Sequence, residues 1–140
     1  MDPATYHLFE DSNFDPYDRD RYPAVLRAGL EHHRLELSDV LAVTQDLGLW
    51  AICRTGVFQA DLRGVFKKRI DVGDLIPYSS VASVHEQRSS PHSRKLVLIG
   101  HDGGKLAQID FSPAGPTRTI AQADACRTSV LGALRSALQA

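Results

Sequence analysis

The stretch VLAVTQDLGLWAICRTGVFQADL, residues 40–62, is the most informative part of the sequence, because here the spacing of apolar residues changes from helical to alternating. Two turn signals divide the stretch, Asp46-Leu47-Gly48 and Thr55-Gly56. The pattern therefore predicts three antiparallel strands joined by tight turns. They cover residues 40–44, 49–54 and 57–62.

More strands are predicted beyond this stretch. Alternation is partial over residues 66–72, where Phe66, Lys68, Ile70 and Val72 share one side. The remaining predicted elements are a short segment at 75–78, a strand at 81–87, a loop at 88–94, and strands at 95–99 and 106–111. Asp102-Gly103-Gly104 separates the last two, and Asp-Gly accepts positive φ at low cost, as tight hairpins require.

Segments whose apolar residues have helical spacing precede and follow the predicted strands. Pro23 suits the first turn of a helix that fades by residues 35–37, because its missing N–H would be unpaired there anyway. Thr117 is a good cap for a second helix over residues 118–138. Its apolar stripe consists of Ile120, Ala123, Val130, Leu131, Leu134, Ala137 and Leu138. We expect Leu131, Leu134 and Leu138 to close one end of the sheet.

Several segments resemble those of bacterial PH-domain proteins over roughly residues 35–139. They are the hairpin that runs from Val43 to Phe58, Ile76-Pro77-Tyr78 with the strand at 81–84, and Leu96-Val97-Leu98-Ile99 with the hairpin that ends at Phe111. The resemblance implies an α+β fold: a PH-like bent antiparallel β-barrel of about seven strands, closed by the C-terminal amphipathic helix. The N-terminal helix is an addition to this plan.

The resemblance also bears on binding. Phosphoinositide-binding PH domains use paired basic residues in and after the first hairpin, but here that turn is Gln45-Asp46-Leu47-Gly48. No phosphoinositide is therefore expected. The bacterial relatives suggest recognition of a protein or peptide, or self-assembly into homo-oligomers.

Size and composition are those of one globular domain. The chain has 140 residues, of which 43% are hydrophobic and 24% charged. No apolar run approaches the roughly 20 residues that cross a bilayer, so no membrane span is expected. The start, Met1-Asp2-Pro3, lacks the pattern of a signal peptide, and we expect a cytoplasmic protein. Cys53 and Cys126 are then expected to be reduced core residues.

The first 20 residues differ in charge from the rest. They contain six acidic residues against Arg19 alone, a net of −5, which against the total of −1 leaves +4 for residues 21–140. This imbalance is too small to predict nucleic-acid binding. We predict an acidic leader (1–20) before the PH-like domain (21–140). The aromatic residues of the leader leave two interpretations open. The leader is either a flexible end or a segment that docks on the body of the protein or on a partner.

No constellation of residues predicts an enzyme. The chain has no G-x-S-x-G motif, so a serine hydrolase is not supported. The adjacent His32 and His33 point in different directions on a helix, which is poor geometry for a metal. Cys53 lies in an apolar run beside Trp50, where a reactive thiolate is disfavoured. We expect no catalytic residues, no metal and no cofactor.

The candidate binding residues are basic. Lys67, Lys68 and Arg69 follow one another, and Arg88 and Arg94 flank the predicted loop. If the two groups are neighbours, they form a patch for an anionic partner; the alternative is a charged sheet edge that resists aggregation. We therefore predict a non-enzymatic binding or scaffolding module for a protein or peptide. The alternative is a small-molecule or lipid carrier, whose barrel interior would be a pocket lined by Trp50 and Phe58.

Overall fold

The structure of the chain is a computed structural model, which describes residues 8–9, 21–64, 66–91, 93–113 and 119–139. In chain order its elements are α1 (Tyr22–His32), β1 (Val40–Gln45), β2 (Leu49–Cys53), β3 (Gly56–Arg63), β4 (Arg69–Val72), β5 (Ile76–Pro77), β6 (Val81–Ser90), β7 (Ser93–Gly100), β8 (Lys105–Phe111) and α2 (Ile120–Gln139). Single 3₁₀ turns at Leu37–Asp39 and Tyr78–Ser80 precede β1 and β6.

The strands form two antiparallel sheets. In the first sheet the order is β1-β2-β3-β4, and β5 pairs with the start of β3. In the second sheet the order is β6-β7-β8. Every strand therefore neighbours the strand before or after it in the chain, except β5, and hairpins make nearly all of the connections.

The prediction of a closed barrel of about seven strands is wrong. The strands form a five-stranded and a three-stranded sheet, and over the described residues no hydrogen-bonded ladder joins the two. The first sheet is cut short at β5, which has two residues, and its Pro77 has no N–H to donate to a ladder. The broader features, an α+β chain with an antiparallel sheet packed on the C-terminal helix, are those observed.

Strand β2 lies at the centre of the molecule, and all five of its residues are buried. Ala51 and Phe58 are opposed across β2 and β3 and pack on the face of the first sheet that α1 covers. Trp50 and Ile52 pack with α2 and the second sheet on the other side. Because successive side chains of a strand point to opposite faces, β2 contributes to both cores. The first sheet is therefore the middle layer.

Both helices cover apolar faces of the first sheet. Pro23 lies in the first turn of α1, as predicted, and α1 buries Val25, Leu26 and Leu30. In α2, Leu131 and Leu134 are buried and Leu138 is partly buried in the second core, so the predicted face of the helix is buried, although it closes no barrel. Burying one leucine side chain completely contributes about 1.5–3 kcal/mol, so this contact is a main source of stability for α2.

The first turn of α2 is held by side chains. Thr119 Oγ1 accepts the N–H of Gln122 at 3.1 Å, and Gln122 Oε1 accepts the N–H of Thr119 at 2.8 Å. This reciprocal pair is a capping box, which satisfies N–H groups that a helix start leaves unpaired. The predicted cap, Thr117, lies outside the described residues.

Two predicted elements have different bounds. The strand predicted at 66–72 is formed only over Arg69–Val72, and Phe66 to Lys68 lie in the turn before it. The loop predicted at 88–94 is mostly strand, because β6 continues to Ser90 and β7 begins at Ser93. The hairpin at Asp102-Gly103 is confirmed, with a φ of +85° at Gly103.

Only Leu8 and Phe9 of the predicted leader are described. Phe9 is 1% exposed and packs in the core between α1 and the first sheet. Leu8 is partly buried and packs against the same core, so both described leader residues contact the body of the protein. The remaining leader residues lie outside the described part.

Candidate binding surfaces

The five basic residues predicted to form one patch lie in two groups on different sheets. Lys67 and Lys68 lie in the β3–β4 turn and Arg69 begins β4, all in the first sheet. Arg88 is on β6 and Arg94 on β7, in the second sheet. Within the described ranges, no hydrogen bond or ion pair links one group to the other.

Arg88 and Arg94 are directly opposed across β6 and β7. Arg88 donates to the carbonyl of Pro91 at 3.3 Å, and Arg94 donates to three carbonyls of the same turn, of Ser90, Pro91 and Ser93, at 3.3–3.4 Å. Neither guanidinium has a carboxylate partner among the described residues. Like charges opposed across a strand pair are destabilising, so this pair leaves unneutralised positive charge at one end of the second sheet.

The cations of the first sheet are partly neutralised. Arg69 pairs with Asp71 at 3.0 Å, and Arg63, which is opposite Arg69 across β3 and β4, lies 3.6 Å from the same carboxylate. Lys67 and Lys68 are exposed, and neither makes an ion pair within the described part of the chain. The turn therefore carries two free ammonium groups.

The outer edge of β6 is the longest open edge of the second sheet. Over its ten residues β6 pairs with β7 on one side, and no described strand pairs with it on the other. Glu86 on this strand forms an ion pair with Arg127 of α2, which also lies 3.9 Å from Asp124. This ion pair links α2 to β6. The Arg127 Nε atom is buried and has no hydrogen-bond partner among the described residues, so the guanidinium is packed closely at this point.

The opposite edge of the second sheet is occupied in part. The N–H of Asp110 on β8 donates to Asp46 Oδ2 in the β1–β2 turn at 2.9 Å. A strand edge that already donates to a side chain is a poorer template for an incoming strand. β6 is therefore the more available of the two edges.

Neither cysteine is in a setting for nucleophilic chemistry. Burial, with the nearby charge of Asp39, raises the pKa of the Cys53 thiol from 9.0 to about 12, so the thiol stays protonated at neutral pH. Tyr78 Oη donates to the Cys53 carbonyl at 2.5 Å, and burial raises the pKa of this phenol too. Cys126 is buried and its Sγ lies 3.1 Å from Thr44 Oγ1. The predicted assignment of both thiols to the core is confirmed.

The structure gives no shared interior pocket to Trp50 and Phe58. In the β2–β3 register Trp50 is opposite Gln59 and Ala51 is opposite Phe58, so the two aromatic residues lie on opposite faces of the sheet. They pack in separate cores. A cleft of about 180 Å³ beside α1, lined by Leu26, Leu30 and Leu35 among others, is smaller than the roughly 300 Å³ from which small-molecule sites begin.

Among the residues that the structure describes, no group of three or more His, Cys, Asp or Glu side chains lies close enough to hold a metal ion. No described helix combines the length and the apolar character that crossing a bilayer requires.

Comparison of the chain with protein-family models, with curated proteins and with solved structures finds no match. The resemblance to bacterial PH-domain proteins therefore stays a prediction that rests on the short segments quoted above.

Two contacts of these surfaces, which involve four residues, could not be predicted from the sequence. Glu86 and Arg127 are 41 positions apart, and Asp46 reaches Asp110 across 64 positions. Contacts at such separations leave no periodic signal in a single sequence. Arg127 lies outside the apolar stripe predicted for the C-terminal helix, which agrees with its polar contact to Glu86.

Proposed function

We propose that the chain is a non-enzymatic binding module that receives an extended, acidic peptide segment as an added strand along β6. The supporting observation is the open edge of β6, with Arg88 and Arg94 opposed at its end and neither of them in an ion pair in the described part. Main-chain hydrogen bonds to the edge would supply affinity, and the two guanidinium groups would select for acidic side chains.

The like-charged pair explains why the partner should be acidic. Two opposed cations raise the free energy of the unbound hairpin, by up to about 1 kcal/mol for directly opposed like charges. A carboxylate placed between Arg88 and Arg94 removes this repulsion and gains charge-assisted hydrogen bonds. The pair therefore favours the bound state over the free one.

Helix α2 is tied to the edge strand by one ion pair. Arg127 pairs with Glu86 of β6, while the helix packs mainly on β1, β2, β7 and β8. Removing this ion pair should loosen β6 and weaken binding without changing the preference for acidic sequence. Self-assembly through β6 of two copies is the related alternative.

The proposal is tested by selecting peptides from a random library displayed on phage. We expect the selected sequences to be acidic, and Arg88→Gln/Arg94→Gln to weaken their binding at least about tenfold, as the loss of two charge-assisted contacts implies. Lys67→Gln/Lys68→Gln is the matched control, since it removes two exposed cations elsewhere, and it should leave affinity unchanged. Selection of neutral sequences, or equal losses in both variants, contradicts the proposal.

A further inference from the structure

Two large apolar side chains are exposed to solvent at turns of the first sheet. Phe66, in the β3–β4 turn, is fully exposed, and Leu47, in the β1–β2 turn, is 84% exposed. Single exposed apolar residues are common, but a fully exposed phenylalanine beside two consecutive lysines is a more specific arrangement.

Both turns lie at the same end of the sheet. β1 and β3 each run antiparallel to β2, so they run parallel to each other, and each of the two turns follows the end of its strand. The turn that holds Leu47 is also hydrogen-bonded to β3, because Gln59 Nε2 donates to the Leu47 carbonyl at 2.8 Å. The two apolar tips therefore project from one end of the molecule.

The backbone at Leu47 is unfavourable for a leucine. Its φ is +51°, in the left-handed region where glycine or asparagine is easier to accommodate. Burial of the side chain does not compensate for this strain, because the side chain is exposed. A leucine that is both strained and exposed in the folded protein suggests that its side chain contacts another surface after folding.

The charge around Phe66 is positive. The sequence RGVFKKR at residues 63–69 contains four cations and no acidic residue. Asp71 pairs with Arg63 and Arg69, and this leaves Lys67 and Lys68 without an ion pair in the described part. An apolar side chain at Phe66 that is followed directly by two lysines matches the layers of an anionic bilayer, whose charged headgroups overlie the acyl chains.

We propose that this end of the first sheet docks on an anionic lipid bilayer. Phe66 and Leu47 enter the boundary between headgroups and acyl chains, and Lys67 and Lys68 contact the anionic headgroups. A bilayer fits better than a protein partner, because the apolar side chains stand at projecting turns and do not form a flat or concave patch that a protein could cover. The surface is separate from the β6 edge, so it goes beyond the proposed function.

The test is co-sedimentation of the full chain with vesicles of phosphatidylcholine, with and without phosphatidylserine. We expect binding to the phosphatidylserine vesicles and a strong loss with added salt. Lys67→Gln/Lys68→Gln should weaken binding by about fivefold for each lysine. Phe66→Ser should weaken it by about tenfold or more, since it removes the larger apolar side chain.

Two variants serve as matched controls. Arg88→Gln/Arg94→Gln removes one exposed and one half-buried cation from the second sheet, and Ile120→Ser removes a 43% exposed apolar residue at the start of α2. Both should bind vesicles like the original chain. If they lose binding as strongly as the turn variants do, the proposed surface is wrong. This comparison does not depend on peptide binding to β6, so the two proposals can fail separately.

Insertion is tested directly with Phe66→Trp. Its added fluorescence should shift to shorter wavelength on phosphatidylserine vesicles and be quenched by lipids brominated on the acyl chains. Absence of vesicle binding overturns the proposal. Binding to soluble polyglutamate through Lys67 and Lys68, with vesicles ignored, also overturns it and indicates an acidic protein partner instead.

Discussion

Asp46 of the β1–β2 turn accepts the backbone N–H of Asp110 on β8, with 2.9 Å between Oδ2 and the nitrogen. This hydrogen bond joins the two sheets where no strand ladder does. It also occupies part of the β8 edge and leaves β6 as the open edge of the second sheet. The choice of binding edge therefore depends in part on one carboxylate.

Replacing this carboxylate should lower stability. We expect Asp46→Ala to reduce the free energy of unfolding by about 1.5–3 kcal/mol, the range for hydrogen bonds to charged groups. Asp46→Asn keeps an acceptor and should cost about 1 kcal/mol or less. Urea unfolding measures both values. Equal losses in the two variants would show that the hydrogen bond to Asp110 contributes little.

Gly29 is required by a close approach between α1 and the sheet. A Cβ at this position would lie 2.3 Å from Phe58 Cε2, and Phe58 is completely buried beside the ring of His33. We expect Gly29→Ala to destabilise the protein by about 1–3 kcal/mol through overpacking, in spite of the higher helix propensity of alanine. Thermal or urea unfolding measures the loss.

Gly132 provides the control, since it is an exposed helical glycine with no atom within 4 Å of its would-be Cβ. Here only helix propensity changes, so Gly132→Ala should stabilise the protein by about 0.5–1 kcal/mol. Opposite signs at the two glycines are the expected result. A stabilising Gly29→Ala would mean that α1 does not pack on Phe58 as described.

The pair Cys53 and Tyr78 makes stability sensitive to alkaline pH. Burial raises the pKa of Cys53 from 9.0 to about 12 and raises the pKa of Tyr78 above its ordinary 10.0, so the fold favours the neutral form of both groups. Their contribution is complete below about pH 9, where the unfolded thiol is still protonated, and it is lost as the pH rises towards 12.

Urea unfolding across this range measures the effect. We expect Cys53→Ala to have a shallower loss of stability above pH 9 than the original chain, because one of the two titrating groups is absent. In the native state at neutral pH, Cys53 and Cys126 should both resist aromatic disulfide reagents and react only after unfolding. Rapid labelling of the native protein contradicts their assignment to the core.

Local elements could be predicted from the sequence, because their signals lie within a few residues. The alternation of residues 40–62 predicts β1, β2 and β3, and Asp102-Gly103 predicts the hairpin between β7 and β8. The stripe that contains Leu131 and Leu134 predicts the buried face of α2. In each case propensity and burial agree along the chain.

The arrangement of the sheets could not be predicted in the same way. A closed barrel and two separate sheets have the same pattern along each strand, and they differ in which edges are hydrogen-bonded. Those edges are determined by distant contacts such as Asp46 with Asp110 and Glu86 with Arg127. For the same reason the sequence did not show that Lys67 and Arg88, which were predicted to share one basic patch, lie in different sheets.

If a peptide adds along β6, the amides of that edge gain hydrogen bonds. Amide hydrogen exchange of the chain, with and without an acidic peptide selected as above, measures this change. We expect slower exchange in β6 in the complex, because its outward N–H groups become hydrogen-bonded, with β8 and the β3–β4 turn unchanged. Slower exchange at that turn or in α1, with β6 unaffected, would contradict this mode of binding.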